Sequence, residues 1–500
     1  MKDTAASEDP SAQSSRLRSL VRTALLVLLS AVAVQWTLFP SSRTTYLWSN
    51  IKNIHRPIQY HGQGISSSFF EGWYFKLVKP GKSETDPVLG MAVIPGIYRP
   101  PPGDASHGRA HAFVILLGLP GSHNSAYYRF HTEDFVDLGG RSPGEEGAFR
   151  IKIGKSVFAH DEIILNLPAE NFDHIPASEL ETFYTEASHQ YQTQYLVSTQ
   201  SPDEQISQAF FRKQFPSSDQ LRQQEQQGPF AVQGHFLFPA KTQTPLPTSL
   251  LTPSIMGFTA YIPFLECNHG VASLHHSIQK GRIATLSADN STQAEATFDG
   301  GVGYTEKDWG INFPSTWIWA QANIFKESPG SSLLVSAASV PVLGPEVTDW
   351  VNTYLKVASP LTTAPGMLFV YYHAATKTLY NFSSYILSAK VKSLKVTFDT
   401  RQLSQTVSLH ATTKDPKNAH NTVAIQVNVT RAIGTGVPLR APSRLKGRMF
   451  TAVEETVVAH TQVKLWHVHS GEVIVEDVGL GSGLEVVGDI QWLQTKFRHP

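Results

Sequence analysis

The sequence predicts a mostly β protein with little helix, and three observations carry that prediction. Glycine (35), proline (31) and aromatic residues (10%) are abundant, a composition that favours short strands joined by turns. Segments rich in aromatic and β-branched residues recur at short intervals: 69–78 (FFEGWYFKLV), 88–98, 111–119, 126–131, 148–153 and 162–167. The length, 500 residues, exceeds one ordinary core, so two β units are expected after the N-terminal region. Closed or stacked sheets are required, because so many strands with open edges would aggregate.

The first element is apolar. Thr23–Phe39 holds few polar residues and follows Arg16, Arg18 and Arg22; as a helix it would reach about 26 Å, enough to span a thin bilayer. The arginines in front outweigh Arg43 and Lys52 behind, which places the residues before the span on the cytoplasmic side and the body on the luminal side, so that 1–54 comprises a cytoplasmic tail, the span (about 23–39) and a tether. The expectation is a single-pass membrane protein of the secretory route, or of a plastid reached through it. Ala31-Val32-Ala33 leaves cleavage of a signal peptide as the alternative. Sequons at Asn290, Asn381 and Asn428 are candidate glycosylation sites in a luminal body.

The first β unit is expected over 55–245, interrupted at about 176–228 by a Gln- and Ser-rich insertion read as irregular or partly helical. Strands resume at Phe230–Phe238, and the Pro- and Thr-rich connector Lys241–Pro253 marks the boundary. The second unit, 246–500, carries strand signals near 270–278, 281–286, 294–298, 316–325, 367–373, 379–387, 391–399, 406–411, 423–430 and 449–493, with a short helix around Glu346–Val357.

Forty-one basic and forty-one acidic residues cancel, so nothing suggests a nucleic-acid partner. The lone Cys267 allows no internal disulfide, and no Cys/His/carboxylate spacing of a structural zinc site is present. No metal and no cofactor is expected.

Two segments are denser in aromatics, charges and glycines than packing requires. One is Phe69-Phe70-Glu71-Gly72-Trp73-Tyr74-Phe75-Lys76. The other runs from Gly303-Tyr304-Thr305-Glu306-Lys307-Asp308-Trp309-Gly310 through Phe313-Pro314 to Trp317, Trp319, Gln321 and Asn323. These segments, with LGMAVIPGIY at 89–98, His111-Ala112-Phe113, Pro263–Ile278 and SGLEVVG near the C-terminus, resemble the signature segments of the tocopherol cyclase family over roughly residues 55–490. The chain departs from the plant pattern at Asp308, where Asn is usual, and at Ala322, where Cys is usual.

The resemblance implies two lipocalin-like β-barrels or sandwiches in tandem, and a reaction in which a prenylated benzoquinol closes to a chromanol. A proton adds to the nearest chain double bond, and a ring hydroxyl attacks the tertiary cation. The implied partner is a prenyl-lipid small molecule, and no redox cofactor is needed because substrate and product are isomers. A carotenoid hydratase group of the same implied fold shares the first step.

That step needs a protonated acid, electron-rich faces for the cation and exclusion of water. Asp308 is the first candidate acid, because Trp309 beside it could desolvate the carboxyl and face the cation. Glu306 shares its strand face, Lys307 the opposite one. Glu71 is the other candidate carboxyl, and His276 a candidate base, with His269 and His111 behind it. Trp73, Tyr74, Tyr304, Lys307, Trp309, Trp317, Trp319, Gln321 and Asn323 are candidate substrate-binding residues. The competing readings are a solvated Glu/Asp–Lys bridge and ordinary aromatic packing, which would make the protein a non-catalytic lipid carrier; a terpenoid hydratase is a further alternative.

Overall fold

The computed structural model describes residues 54–498 apart from 67, 82–86, 102–109, 122–124, 140–148, 199–205, 227, 263–264, 288–289, 342–362 and 444–445. The apolar Thr23–Phe39 stretch and the expected helix at Glu346–Val357 lie outside the described residues. No helix among those described is long and apolar enough to cross a membrane.

The first half of the chain forms β1 (Phe69–Lys79), β2 (Leu89–Arg99), β3 (His111–Leu117), β4 (Ser125–Phe130), β5 (Phe135–Asp137), β6 (Arg150–Ile153), β7 (Ser156–Ala159), β8 (Glu162–Leu167) and β9 (Ala231–Leu237). Beyond the connector come β10 (Cys267–Ser277), β11 (Lys280–Leu286), β12 (Thr292–Thr297) and β13 (Val302–Gly310). One sheet has the order β10-β13-β1-β2-β3-β4, and a second the order β12-β11-β9-β8-β7-β6-β5. They enclose a core of Trp73, Phe75, Tyr128, Phe149, Phe158, Phe236 and Phe298.

The third sheet uses β14 (Trp317–Ala322), β15 (Ile324–Phe325), β16 (Ser332–Pro341), β17 (Thr363–His373), β18 (Thr378–Asn381), β19 (Lys390–Asp399), β20 (Ser404–Asp415), β21 (Asn418–Ala432), β22 (Val437–Ser443), β23 (Arg448–His467) and β24 (Val473–Val487). Its main path runs β18-β17-β16-β14-β24-β23-β21-β20-β19, and its apolar face buries Ile318, Phe369, Val407, Val427 and Leu465.

Two expectations change. The described pairings run from edge to edge in each sheet and close no ring, so the architecture is stacked sheets rather than closed barrels. Pairing also crosses the expected boundary at 245/246, since β13 lies antiparallel on β1 over nine register pairs from Phe70↔Gly310 to Val78↔Val302. The physical reason is the edge of β1: without β13 its backbone groups would be unpaired. The chain passes to the third sheet between Gly310 and Trp317 instead.

The Gln-rich insertion is mostly helical where described, with α1 (Ala177–Ser198), α2 (Gln208–Arg212) and α3 (Ser218–Gln226). Its polar composition hid a cluster of Phe183, Tyr184, Tyr191, Phe211 and Phe215 that packs on Ile433, the residue after β21. Tyr191 donates to Glu454 (2.5 Å) and accepts from Arg431 (2.8 Å), which fixes the insertion to the third sheet through buried groups. A short α4 (Ile490–Lys496) closes the chain, its first turn capped by Asp489, whose side chain accepts from the Trp492 N–H.

Candidate functional site

The first and third sheets face each other across a cavity of about 490 Å³, within the range of small-molecule sites. Aromatic and aliphatic side chains supply most of the wall, among them Phe70, Phe113, Phe313, Trp317, Met367 and Met449. Against this lining stand four carboxyls, Glu306, Asp308, Glu455 and Glu485, the His269 imidazole, and the Arg440 guanidinium, which is paired with Asp173.

Strand alternation explains which residues arrive there. On β13, Glu306 and Asp308 face the cavity while Lys307 and Trp309 face away. His269 is the register partner of Asp308 on β10, and Tyr74 that of Glu306 on β1. His269 Nδ1 lies 2.9 Å from Asp308 Oδ1, and its Nε2 3.3 Å from Glu306 Oε2. The Tyr304 hydroxyl and, at 3.3 Å, the Trp319 indole N–H donate to Glu306. Gly483 makes room for that indole: a Cβ there would lie 2.4 Å from the ring.

The third sheet brings a second acidic group. Glu455 and Glu485 are register partners on β23 and β24. Tyr74 donates to Glu455, and the Trp317 indole N–H donates to Glu485 at 2.6 Å.

Burial raises the Glu306 carboxyl to about 7, His269 opposing the rise and Asp308 adding to it. Burial and the facing Glu485 push Glu455 well above the carboxylate range, and burial lifts Glu485 to about 7. For His269, burial lowers the pKa, but Glu306 and Asp308 together outweigh it and hold the imidazole up at about 9. At neutral pH the cavity wall therefore carries an imidazolium between two acids and a pair of carboxyls that retains a proton.

The reverse face of the same strands holds a different arrangement. Glu71 and Lys307 form a fully buried ion pair at 2.5 Å. The Glu71 carboxylate also accepts from the backbone N–H of His61 (2.9 Å) and Gly62 (3.0 Å). The Lys307 ammonium lies 4.5 Å from the Trp309 ring centre and 5.2 Å from that of Trp73. Burial raises Glu71 and lowers Lys307 to about 8, their mutual attraction opposing both shifts.

Of the residues singled out from sequence, Tyr74, Glu306, Asp308, Trp317 and Trp319 line the cavity, and Tyr304 supports Glu306. Glu71, Trp73, Lys307 and Trp309 sit behind the sheet, so Trp309 does not face a substrate beside Asp308. His276 is buried against Phe238 with its pKa lowered to about 3 by burial. Gln321 and Asn323 serve the seam between sheets: Lys76 Nζ donates to the Gln321 carbonyl (3.1 Å), and Asn323 donates to the Gly303 carbonyl (2.8 Å). Asn381 is half-buried and its amide donates to the Tyr385 hydroxyl at 2.9 Å, Asn428 is half-buried on β21, and Asn290 is exposed. Sequence reading missed Glu455 and Glu485 and ranked His269 low. The signal present was SGLEVVG, whose Glu485 lies on the Trp319 side of β14.

His269, Glu306 and Asp308 are also the group among the described residues whose side-chain atoms lie close enough, within 4.8 Å, to hold a metal ion. The imidazole already stands between the two carboxyls, and its raised pKa fits a proton at that position.

Comparison with known proteins gives the following. The family model described as tocopherol cyclase-like matches residues 159–355, which include β13 and β14. The rice (Oryza sativa subsp. japonica) protein named "Probable tocopherol cyclase, chloroplastic" is 36% identical over 47 residues, 9% of this chain and 10% of its own length, so the match spans about a tenth of that relative. Among solved structures, CghA is similar over 84% of this chain and 88% of its own, with 8% identity and a TM-score of 0.40. Kievitone hydratase from Nectria haematococca is similar over 86% and 91%, with 9% identity and a TM-score of 0.31. Likenesses this loose bear no functional weight. At the level of sequence the chain is similar to the tocopherol cyclase-like family over residues 159–355.

Proposed function

We propose that the protein is an acid-catalysing enzyme that cyclises a prenylated benzoquinol to a chromanol. The observation that carries this reading is an apolar cavity of about 490 Å³ whose wall holds three buried carboxyls with raised pKa, Glu306, Glu455 and Glu485.

The proton donor is the Glu455–Glu485 pair. Two buried carboxyls facing each other on neighbouring strands disfavour a second ionisation, so one proton stays available near neutrality. That proton adds to the less substituted alkene carbon. The tertiary cation left behind is faced by Tyr74, Trp317 and Trp319. The ring hydroxyl oxygen bonds to the tertiary carbon, and its proton returns to the carboxylate that gave one up, so protein and substrate regain their starting composition. His269, held by Asp308, presents a hydrogen-bond donor for the ring oxygens. Asp308, the acid expected from sequence, serves here as counter-ion to His269. The Thr23–Phe39 stretch is proposed as a membrane anchor with the body luminal.

A second reading, hydration of a terpenoid alkene, is favoured by one feature: the Asp308 side chain keeps 24% of its surface exposed, which leaves water a path to the acids. Incubation of the purified protein with a prenylated benzoquinol tests both. A chromanol of unchanged mass supports cyclisation, a product heavier by one water supports hydration, and tight binding with neither product leaves a carrier.

A further inference from the structure

The three most exposed large apolar side chains among the described residues are Leu387 (77%), Leu250 (76%) and Leu251 (73%). They occupy two loops that meet at the cavity mouth. Leu250 and Leu251 form the tip of a tight turn closed by backbone hydrogen bonds between Ser249 and Thr252. The turn is tied to the following 3₁₀ segment, Gly257–Tyr261, because the Tyr261 hydroxyl donates to the Leu250 carbonyl at 2.6 Å. In that segment Phe258 is 53% exposed and yet lines the cavity. Its ring lies 6.1 Å from that of Tyr385, which also lines the cavity and stands two residues before Leu387.

Charge is absent from both loops. No Asp, Glu, Lys, Arg or His occurs between Lys241 and Glu266, or between Lys377 and Lys390. An apolar lip of this kind is costly in water and lacks the charges that a polar protein partner would pair with. The chain also enters the described body here: the His55 ring lies 6.0 Å from that of Tyr261, with Nε2 3.1 Å from the hydroxyl. Only residues 40–54 separate His55 from the end of the apolar Thr23–Phe39 stretch, a connection that spans at most ~50 Å fully extended.

We propose that the lip formed by residues 246–262 and 383–389 docks on a lipid bilayer and opens the cavity mouth directly to it. The tips Leu250, Leu251 and Leu387 enter the headgroup and upper acyl region, as apolar loop tips and interfacial helices do. A zwitterionic surface suffices, since the lip offers no basic residues to anionic lipid. The route spares a prenyl chain any passage through water; this benefit rests on the reading of the cavity as a site for a lipophilic substrate, whereas the docking does not.

The test uses the full chain in phosphatidylcholine vesicles. An environment-sensitive thiol-reactive fluorophore is attached to Leu250→Cys, to Leu387→Cys and, as control, to Glu472→Cys in the turn between β23 and β24, with the parent chain measuring any labelling of Cys267. Nitroxide-labelled phosphatidylcholine should quench the probes at 250 and 387 several-fold more than the probe at 472, with blue-shifted emission. Water-like emission without quenching at 250 and 387, on protein that is vesicle-bound, overturns the proposal. A blue shift that persists without lipid and disappears on dilution shows a second copy on the lip, and overturns it too. Because the readout needs no turnover, a quenched lip on an inactive protein counts against the chemistry and leaves the docking standing.

Discussion

The strand pair β1/β13 carries buried charge on both faces, and the two faces are built to opposite ends. Behind the sheet, Glu71 and Lys307 make a short pair, and the carboxylate also accepts backbone N–H bonds from His61 and Gly62. In front, Glu306 and Asp308 share one imidazole beside an apolar cavity, and Glu455 and Glu485 face them with a retained proton. Satisfied charge fixes structure, whereas charge left short of partners is available for chemistry. Among the described residues Oε2 of Glu455 accepts no hydrogen bond and Nε2 of His269 has only its 3.3 Å ion-pair contact with Glu306, whereas neither Glu71 nor Lys307 leaves such an atom.

The largest expected effect breaks the front face. Glu455→Gln and Glu485→Gln should each lower cyclisation by the ~10²–10⁴ typical of a lost general acid, with substrate binding nearly unchanged. The parent rate should fall as pH rises past about 7, where Glu485 ionises, and that limb should be displaced in either variant. Full activity in both variants would remove the pair as proton source.

Next comes the rear face. Glu71→Gln leaves Lys307 buried without its counter-charge, and loss of one partner of a buried pair costs about 3–5 kcal/mol. Thermal unfolding should shift down by many degrees while the folded fraction keeps its turnover. A variant of unchanged stability and lost activity would move Glu71 from structure to chemistry, as its place in FFEGWYF first suggested.

Asp308→Asn discriminates between two roles for one residue. If Asp308 holds His269, the loss is about 10–100-fold, corresponding to the ~1.5–3 kcal/mol of a hydrogen bond between charged groups. A loss of ~10²–10⁴ with disappearance of the high-pH limb would make it the donor instead.

How far the sequence led can be judged from particular residues. Strands were legible because aromatic and β-branched runs such as 69–78 and 162–167 occur between turn residues, and β1 (Phe69–Lys79) and β8 (Glu162–Leu167) lie where those runs do. Period-two alternation on β13 separated Glu306 and Asp308 from Lys307, but the same rule places Trp309 with Lys307, and adjacency in sequence was taken for adjacency in space. Glu455 and Glu485 escaped notice because a register pairing thirty residues apart leaves no local pattern. The return of β10 and β13 to β1 is equally non-local, so a Pro-rich connector looked like a boundary when it forms a lip.

The smallest effect concerns the pH dependence of stability, where the two faces should pull in opposite directions. His269 has its pKa raised from 6.5 to about 9 in the folded protein, so its contribution is fully present below pH 6.5 and is lost as pH rises through 9. Lys307 has its pKa lowered from 10.5 to about 8, so its burial costs most below 8 and the cost is relieved as pH rises toward 10.5. The windows overlap between about 8 and 9, where the two slopes cancel in part. Urea midpoints measured from pH 5 to 10.5 should separate them. His269→Asn should weaken the decline between 6.5 and 9 and leave the rise above 8, whereas Lys307→Met should reduce that rise, the remainder belonging to Lys76, lowered to about 7 by burial, and leave the decline. Identical profiles for both variants would mean that the faces titrate as one network and that the division between a structural and a chemical face is wrong. A decline between 6.5 and 8 that survives in His269→Asn would assign it to another group of raised pKa, with Glu455, pushed well above the carboxylate range by burial and by Glu485, as the next to replace.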